Sequence, residues 1–179
     1  MLILNYKENK KIRDDVEPLF ISAFPENERP PVSYFFKSLK KEQNNLFAFY
    51  DNEMFIGFCY TTTFKDICYI FFLAVQENYR SKGYGSKILQ TIKETYTNHV
   101  LLLCYEEVDK RYQDYQNRKK REEFYIKNGF KRNTFKTDEY GVIFQTAYQG
   151  NHPVSFEDYA EIFKLGFGKD SIKYLRKVE

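Results

Sequence analysis

Residues 70–89, IFFLAVQENYRSKGYGSKIL, restrict the fold more than any other stretch of this chain. The run 70–75 is apolar at every position, the pattern of a strand covered on both faces. A turn rich in Arg, Lys and Gly follows. Beyond it Ile88, Leu89, Ile92 and Tyr96 recur at helical spacing, while Lys87, Gln90, Lys93 and Glu94 point elsewhere. The expected unit is strand, turn and helix, with Gly83 and Gly85 just ahead of the helix. Without a Cβ these residues let a ligand approach the backbone, and the free N–H groups of a first helical turn point outward at the positive end of the helix dipole. Such a turn suits a phosphate or pyrophosphate.

Two glycine motifs do not fit. A dinucleotide fingerprint needs a third Gly where Ile88 stands, and a mononucleotide P-loop needs Gly-Lys-Ser/Thr after four spacer residues. The pattern that does fit is [Gln/Arg]-x-x-Gly-x-[Gly/Ala], met by Arg80, Gly83 and Gly85. Those positions alone also describe an ordinary strand-to-helix turn with solvated basic residues, so the rest of the chain has to decide.

No linker rich in Pro, Gly or Ser divides the 179 residues, which are enough for one sizeable core, so one domain over 1–179 is expected. With 18 Phe, 16 Tyr and no Trp, rings should line that core. A formal charge of +3, from 28 basic and 25 acidic residues, argues against a nucleic-acid partner. Cys59, Cys68 and Cys104 lie in apolar runs without metal-ligand spacing and read as buried, reduced thiols. The N-terminal apolar stretch is too short for a signal peptide and no run is long enough to span a bilayer, so a cytoplasmic protein with no membrane partner is expected.

Along the chain, 2–6 reads as a short strand, and Val16, Leu19, Phe20, Ala23 and Phe24 form a helical stripe that stops before Pro25. The segment FPENERPP, 24–31, cannot continue as a regular helix. A second helix is expected over 32–41, then strands over 46–50 and 54–63 around a hairpin turn at Asp51, Asn52 and Glu53. The apolar run 100–105 predicts another strand covered on both faces, ending on Glu106 and Glu107 and parallel to 70–75 because a helix separates them. A polar helix over about 112–128 ends at Gly129, and strands 130–136 and 142–148 form an antiparallel pair joined through 138–141. Ser155 and Asp158 open a last helix with Phe156, Tyr159, Ile162 and Phe163 on one face. The final ten residues carry no pattern that places them.

This order, β-α-α-β-β-β-α-β-α-β-β plus a C-terminal helix, resembles the fold of the GNAT N-acetyltransferase superfamily over residues 1–148, with 149–179 as an extension. LAVQENYRSKGYGSKIL is similar to the family form Leu-x-Val-x-Pro-x-Tyr-Arg-x-x-Gly-x-Gly-x-x-Leu-Leu, departing at Glu77, where Pro is common. REEFYIKNGF resembles the later Phe-Tyr-x-x-x-Gly-Phe signature. FPENERPP, and YEEVD together with NRKKREEFYIKNGF, resemble a bacterial subgroup of largely unassigned substrate. The resemblance implies an α/β fold with a mixed central sheet, a splayed parallel strand pair and flanking helices. It implies an N-acetyltransferase that moves an acetyl group from acetyl-CoA to an amine by direct attack in a ternary complex, without a metal. A non-catalytic acyl-CoA-binding or regulatory module on the same fold is the alternative.

On this resemblance the backbone N–H groups of Ser81, Lys82, Gly83, Tyr84, Gly85 and Ser86 take the pyrophosphate, and Arg80 and Lys82 add charge. Leu73, Ala74 and Val75 pair through their backbone with the pantetheine arm, and an N–H among them holds the thioester oxygen. Tyr125 falls at the Tyr that gives a proton to the departing thiolate. Asp114, Arg118, Arg121 and Tyr125 share one polar helix face. By spacing alone that face is a wet, ion-paired surface; by resemblance Arg118 and Arg121 line the cleft or approach phosphate.

An ammonium acceptor, with a pKa of about 10.4, needs a base. Glu106 ends a buried strand, where desolvation raises a carboxylate's pKa, or else it is a solvated strand end or a partner of Arg118 or Arg121. Glu28 is the second candidate, since its region borders the acceptor site in this fold. His99 and His152 read as surface or turn residues, and no Ser/His/Asp or Cys/His arrangement points to an acyl-enzyme. The acceptor stays open between a small-molecule amine and a peptide or protein amine. The C-terminal helix could pack between the protomers of a homodimer.

Overall fold

Five α-helices and eight β-strands organise the residues that the computed structural model describes, 1–26 and 29–178. These are β1 (Leu2–Asn5), α1 (Arg13–Ala23), α2 (Val32–Ser38), β2 (Asn44–Asp51), β3 (Met54–Phe64), β4 (Ile67–Val75), α3 (Tyr84–Thr95), β5 (Val100–Glu106), α4 (Tyr115–Lys127), β6 (Lys131–Glu139), β7 (Val142–Gln149), α5 (Phe156–Phe167) and β8 (Leu175–Val178). They form a mixed α/β fold in two compact units, Met1–Thr63 with Ile70–Thr97 and Phe64–Tyr69 with Asn98–Glu179. Strand β4 contributes to both. The strand order is β1-β2-β3-β4 in the first unit and β4-β5-β7-β6-β8 in the second.

In the first unit β1, β2 and β3 pair antiparallel. The β2–β3 turn has two residues rather than the expected three: Asn52 and Glu53 take φ of 47° and 67°, the left-handed pair whose twist suits a tight hairpin. Helix α2 stops at Ser38, three residues short of the expected end, because side chains take over its carbonyl groups. Ser38 Oγ donates to Phe35 O (2.6 Å), and the buried Asn44 amide donates to Ser38 O (2.9 Å). Phe20 of α1 stacks on Phe35 of α2 with ring centroids 4.2 Å apart, and Phe72 of β4 meets Phe20 edge-on at 5.2 Å. The core of this unit is thus built from rings, as the composition implies.

The expectation that β4 is covered on both faces holds for only part of it. Ile67, Cys68, Tyr69 and Ile70 are buried; beyond them Phe72 and Ala74 are buried, while Phe71, Leu73 and Val75 are half-open. Gly57 of β3 lies against this segment so closely that a Cβ built there would stand 2.2 Å from Ala74 O.

In the second unit the parallel pairing expected from the two apolar runs is present, Ile67, Cys68 and Tyr69 lying against Val100, Leu101 and Leu102. Strands β5, β7, β6 and β8 continue antiparallel. Helix α4 ends in a paired cap: Gly129, at φ 88°, donates to Ile126 O, and Phe130 donates to Tyr125 O. Ser155 caps α5 as expected, its Oγ accepting from Asp158 N at 3.1 Å. The α5 face of Tyr159, Ile162 and Phe163 is buried within this unit, where Tyr159 packs on Phe135 and Tyr69. A 3₁₀ segment, Lys169–Tyr174, and then strand β8 place the described C-terminal residues that no local pattern placed. Among the described residues, no helix is long and apolar enough to cross a membrane.

The Gly57 contact is with backbone and cannot relax by a rotamer change. Gly57→Ala should cost about 1–3 kcal/mol of stability by overpacking, read as a lower urea midpoint with an unchanged m-value; an unmoved midpoint would contradict the close approach.

Candidate active site

The turn that follows β4 is shaped by two left-handed residues. A short 3₁₀ turn, Glu77–Tyr79, leads to Ser81 at φ 60° and then to Gly83 at φ 83°, which is the N-cap of α3. Gly85 therefore lies inside the helix, not ahead of it as the sequence suggests. A Cβ built on Gly83 meets nothing within 4 Å, so open space lies over the loop. Lys87 N–H closes the first helical bond onto Gly83 O at 3.1 Å, leaving the preceding N–H groups of the turn without intrahelical acceptors.

Side chains fasten this loop on its far side. Tyr84 OH donates to Asp51 Oδ2 (2.6 Å), and Tyr79 meets Tyr84 edge-on at 5.8 Å while its OH contacts Met54 Sδ. Lys82 and Lys87 lie over the rings of Tyr79 and Tyr84, at 5.7 and 5.1 Å. Arg80 Nε donates to Val75 O (3.1 Å), which holds the guanidinium by the end of β4. Open space, outward N–H groups and two nearby ammonium groups form a donor set that fits a phosphate or pyrophosphate. Leu73 and Val75 are on the half-open face of β4, and Ala74 is buried. The brace from Asp51 was not legible in the sequence, where that residue reads as turn alone.

In the second unit, the end of β5 carries the cluster that the helix spacing predicts. Glu106 is buried and ion-paired with Arg121 and, at 3.9 Å, with Arg118. Arg118 also donates from Nε to Asp114 (2.7 Å) and from Nη1 to Glu107 O (3.2 Å), and its guanidinium lies 3.8 Å from the Tyr112 ring centroid. It is 12% exposed and fully engaged, whereas Arg121 is 48% exposed. Of the settings open to Glu106 from the sequence, this is the paired one. Glu107 binds Lys136 (2.7 Å) and Arg111, and the Lys136 hydrogen bond leads in holding its carboxyl below the usual range.

Tyr125 follows Arg121 by one turn on α4. Its ring stacks on Tyr105, with centroids 5.6 Å apart and planes at 22°, and meets Phe130 edge-on at 6.0 Å. Glu28 lies outside the described residues. His152 is a surface residue, as expected, with Nε2 2.9 Å from Asp66. Cys59 and Cys68 are buried free thiols, while Cys104 is only half-buried, with Sγ 2.9 Å from Tyr69 OH.

Residues 42–132 match the family model described as acetyltransferase (GNAT) domain, a span that holds the loop, Glu106 and Tyr125. No curated protein matches the chain. Among solved structures, one described as an acetyltransferase from the GNAT family of Bacteroides thetaiotaomicron aligns with a TM-score of 0.74 at 18% identity, covering 94% of this chain and 99% of that one. An aminoglycoside 6'-N-acetyltransferase complexed with coenzyme A aligns at 0.69 and 15% identity, covering 86% and 100%. The ribosomal-protein-S18-alanine N-acetyltransferase from Escherichia coli aligns at 0.62 and 16%, covering 87% and 100%. At these identities the likeness is one of fold.

The second unit holds a further ionisable group, Glu139, which the sequence places in the 138–141 connection and the structure places at the end of β6. Glu139 is buried, accepts from Thr137 Oγ1 (2.6 Å) and from Tyr159 OH, and Tyr159 OH is 3.0 Å from Tyr69 OH. Burial raises its carboxyl from 4.5 to about 7 and pushes the Tyr69 and Tyr159 hydroxyls well up. Because the folded value is the higher one, the stability tied to the protonated acid is fully present below about pH 4.5 and is lost as pH rises through about 7. The expected loss is ~3 kcal/mol between those limits. Denaturation midpoints measured from pH 5 to 8 should fall in the native protein and stay flatter in Glu139→Gln; parallel curves would contradict the assignment.

Proposed function

The chain belongs to the GNAT acetyltransferase family, and from that premise we propose that it is an N-acetyltransferase carrying an acetyl group from acetyl-CoA to an amine in a ternary complex. The observation that carries this reading is Gly83, left-handed at the N-cap of α3 with open space over it. An anion bound there meets N–H donors from residues 81–86 and the positive end of the helix dipole, and Arg80 and Lys82 add charge. Acetyl-CoA supplies the activated acyl group as co-substrate. The β4–β5 ladder runs over Ile67, Cys68 and Tyr69, ahead of Leu73, Ala74 and Val75, which supports backbone pairing of that later segment with the extended arm of acetyl-CoA. An N–H in that segment then stabilises the thioester oxygen as charge develops on it.

In the reaction the acceptor nitrogen attacks the thioester carbon, a C–N bond forms, the C–S bond breaks, and Tyr125 gives its phenolic proton to the thiolate. Its place in the Phe-Tyr-x-x-x-Gly-Phe signature supports that role. Glu106 is the base of this reading, acting through a water, since Arg118 and Arg121 compete for the carboxylate lone pairs a direct base would use. Solved relatives named for an aminoglycoside and for a ribosomal-protein alanine support an amine acceptor, small or protein-borne. Three free cysteines accord with a reducing, cytoplasmic setting. The same engagement of Glu106 favours, as second reading, a non-catalytic acyl-CoA-binding module.

Thiol release from acetyl-CoA with spermidine, tyramine, kanamycin and an alanine-terminated peptide separates the two: turnover with any of them supports the enzyme, and binding without turnover supports the module. Gly83→Glu should abolish acetyl-CoA binding while the protein stays folded, and undiminished affinity would remove the loop assignment. Tyr125→Phe should lower kcat by about 10²-fold with little change in KM for acetyl-CoA; an unaltered kcat would remove the acid.

A further inference from the structure

A proton donor must be held in place, and the packing around Tyr125 shows what could hold it. Tyr105, near the end of β5, is buried, and the Tyr125 ring stacks on it. The Tyr105 hydroxyl donates to Glu122 Oε1 at 2.9 Å, and Arg132 of β6 reaches the same oxygen from Nε at 2.9 Å and from Nη2 at 2.7 Å. Glu122 precedes Tyr125 by three residues on α4, so both lie on one helix face. The helix that carries Tyr125 is therefore tied to β5 through Tyr105 and to β6 through Arg132. Phe130 closes the edge of the Tyr125 ring and bonds its carbonyl from the chain reversal at Gly129.

From this arrangement we propose that Tyr105, fixed by Glu122 and Arg132, is a positioning residue for Tyr125, an inference that rests on Tyr125 serving as the acid. A ring in an offset, near-parallel stack limits tilt, and the buried hydrogen bond at the far end of Tyr105 holds the supporting ring against turning. Burial, and then the bond to Glu122, push the Tyr105 hydroxyl far up, so it stays a fixed neutral donor and is not itself the acid. Tyr105 forms and breaks no bond in the transfer; its contribution is the orientation of the Tyr125 hydroxyl, where small misplacements cost rate.

The test is a double-mutant cycle on kcat for thiol release, using the amine of the panel above that turns over fastest. Tyr105→Leu, which removes the stacked ring, should lower kcat roughly tenfold with KM for acetyl-CoA within about twofold. Tyr105→Phe keeps the ring, should fold as the native protein does, and should give a smaller fall in kcat. In a Tyr125→Phe background, Tyr105→Leu should add almost nothing, because there is no acid left to orient. Equal losses in both backgrounds would overturn the positioning role while leaving the acid in place. No loss from Tyr125→Phe alone, or no turnover with any amine, would overturn the acid reading and the inference with it.

Discussion

Strand β4 has to satisfy backbone hydrogen bonds on both edges while much of its surface is buried, and the rest of the structure depends on how it does so. Its first residues are committed to a parallel ladder with β5, and its later ones run against β3, where Gly57 permits a contact with Ala74 that no other residue would allow. Because Leu73 and Val75 are half-open, the strand delivers an accessible face directly into the turn that opens α3. Ser81 and Gly83 then reverse the chain in left-handed conformations, so that the helix starts with its N–H groups turned outward. The proposed donor site is in this sense a by-product of how a buried strand ends.

Charge at the end of β5 is arranged differently. Glu106 and Glu107 are both largely buried, and each is met by two cationic side chains. Desolvating such groups is expensive, and removing one partner from a buried pair costs about 3–5 kcal/mol. That penalty makes the register of α4 against β5 hard to alter: shifting the helix would strand Glu106 without Arg118. Glu122 repeats the device one turn further along, with the Tyr105 hydroxyl in place of one of the two cations and Arg132 as the other.

What could be read from the sequence was local. The apolar runs of β4 and β5, the helical stripe of α3, the Gly129 cap and the Ser155 cap were all legible because the residues that determine each are neighbours in the chain. Strand β8 was not, since only Leu175 of its four residues is buried and its partner lies in β6. The half-open face of β4, the Asp51–Tyr84 brace and the buried Glu139 depend on which distant residues come together, which periodicity does not encode. Glu106 marks the boundary. Its place at a strand end was readable, but its pairing with both Arg118 and Arg121 depended on how those two side chains are oriented. The family assignment came from spaced motifs, Arg80 with Gly83 and Gly85, and Phe124-Tyr125 with Gly129-Phe130, which survive where overall identity is low.

Backbone amide hydrogen exchange at residues 81–86, followed with and without acetyl-CoA, addresses the central claim most directly. If these N–H groups cradle the pyrophosphate, their exchange slows on saturation with acetyl-CoA, whereas the exposed far end of α3 is unaffected. Saturable binding that leaves the amides of 81–86 unchanged would contradict the account.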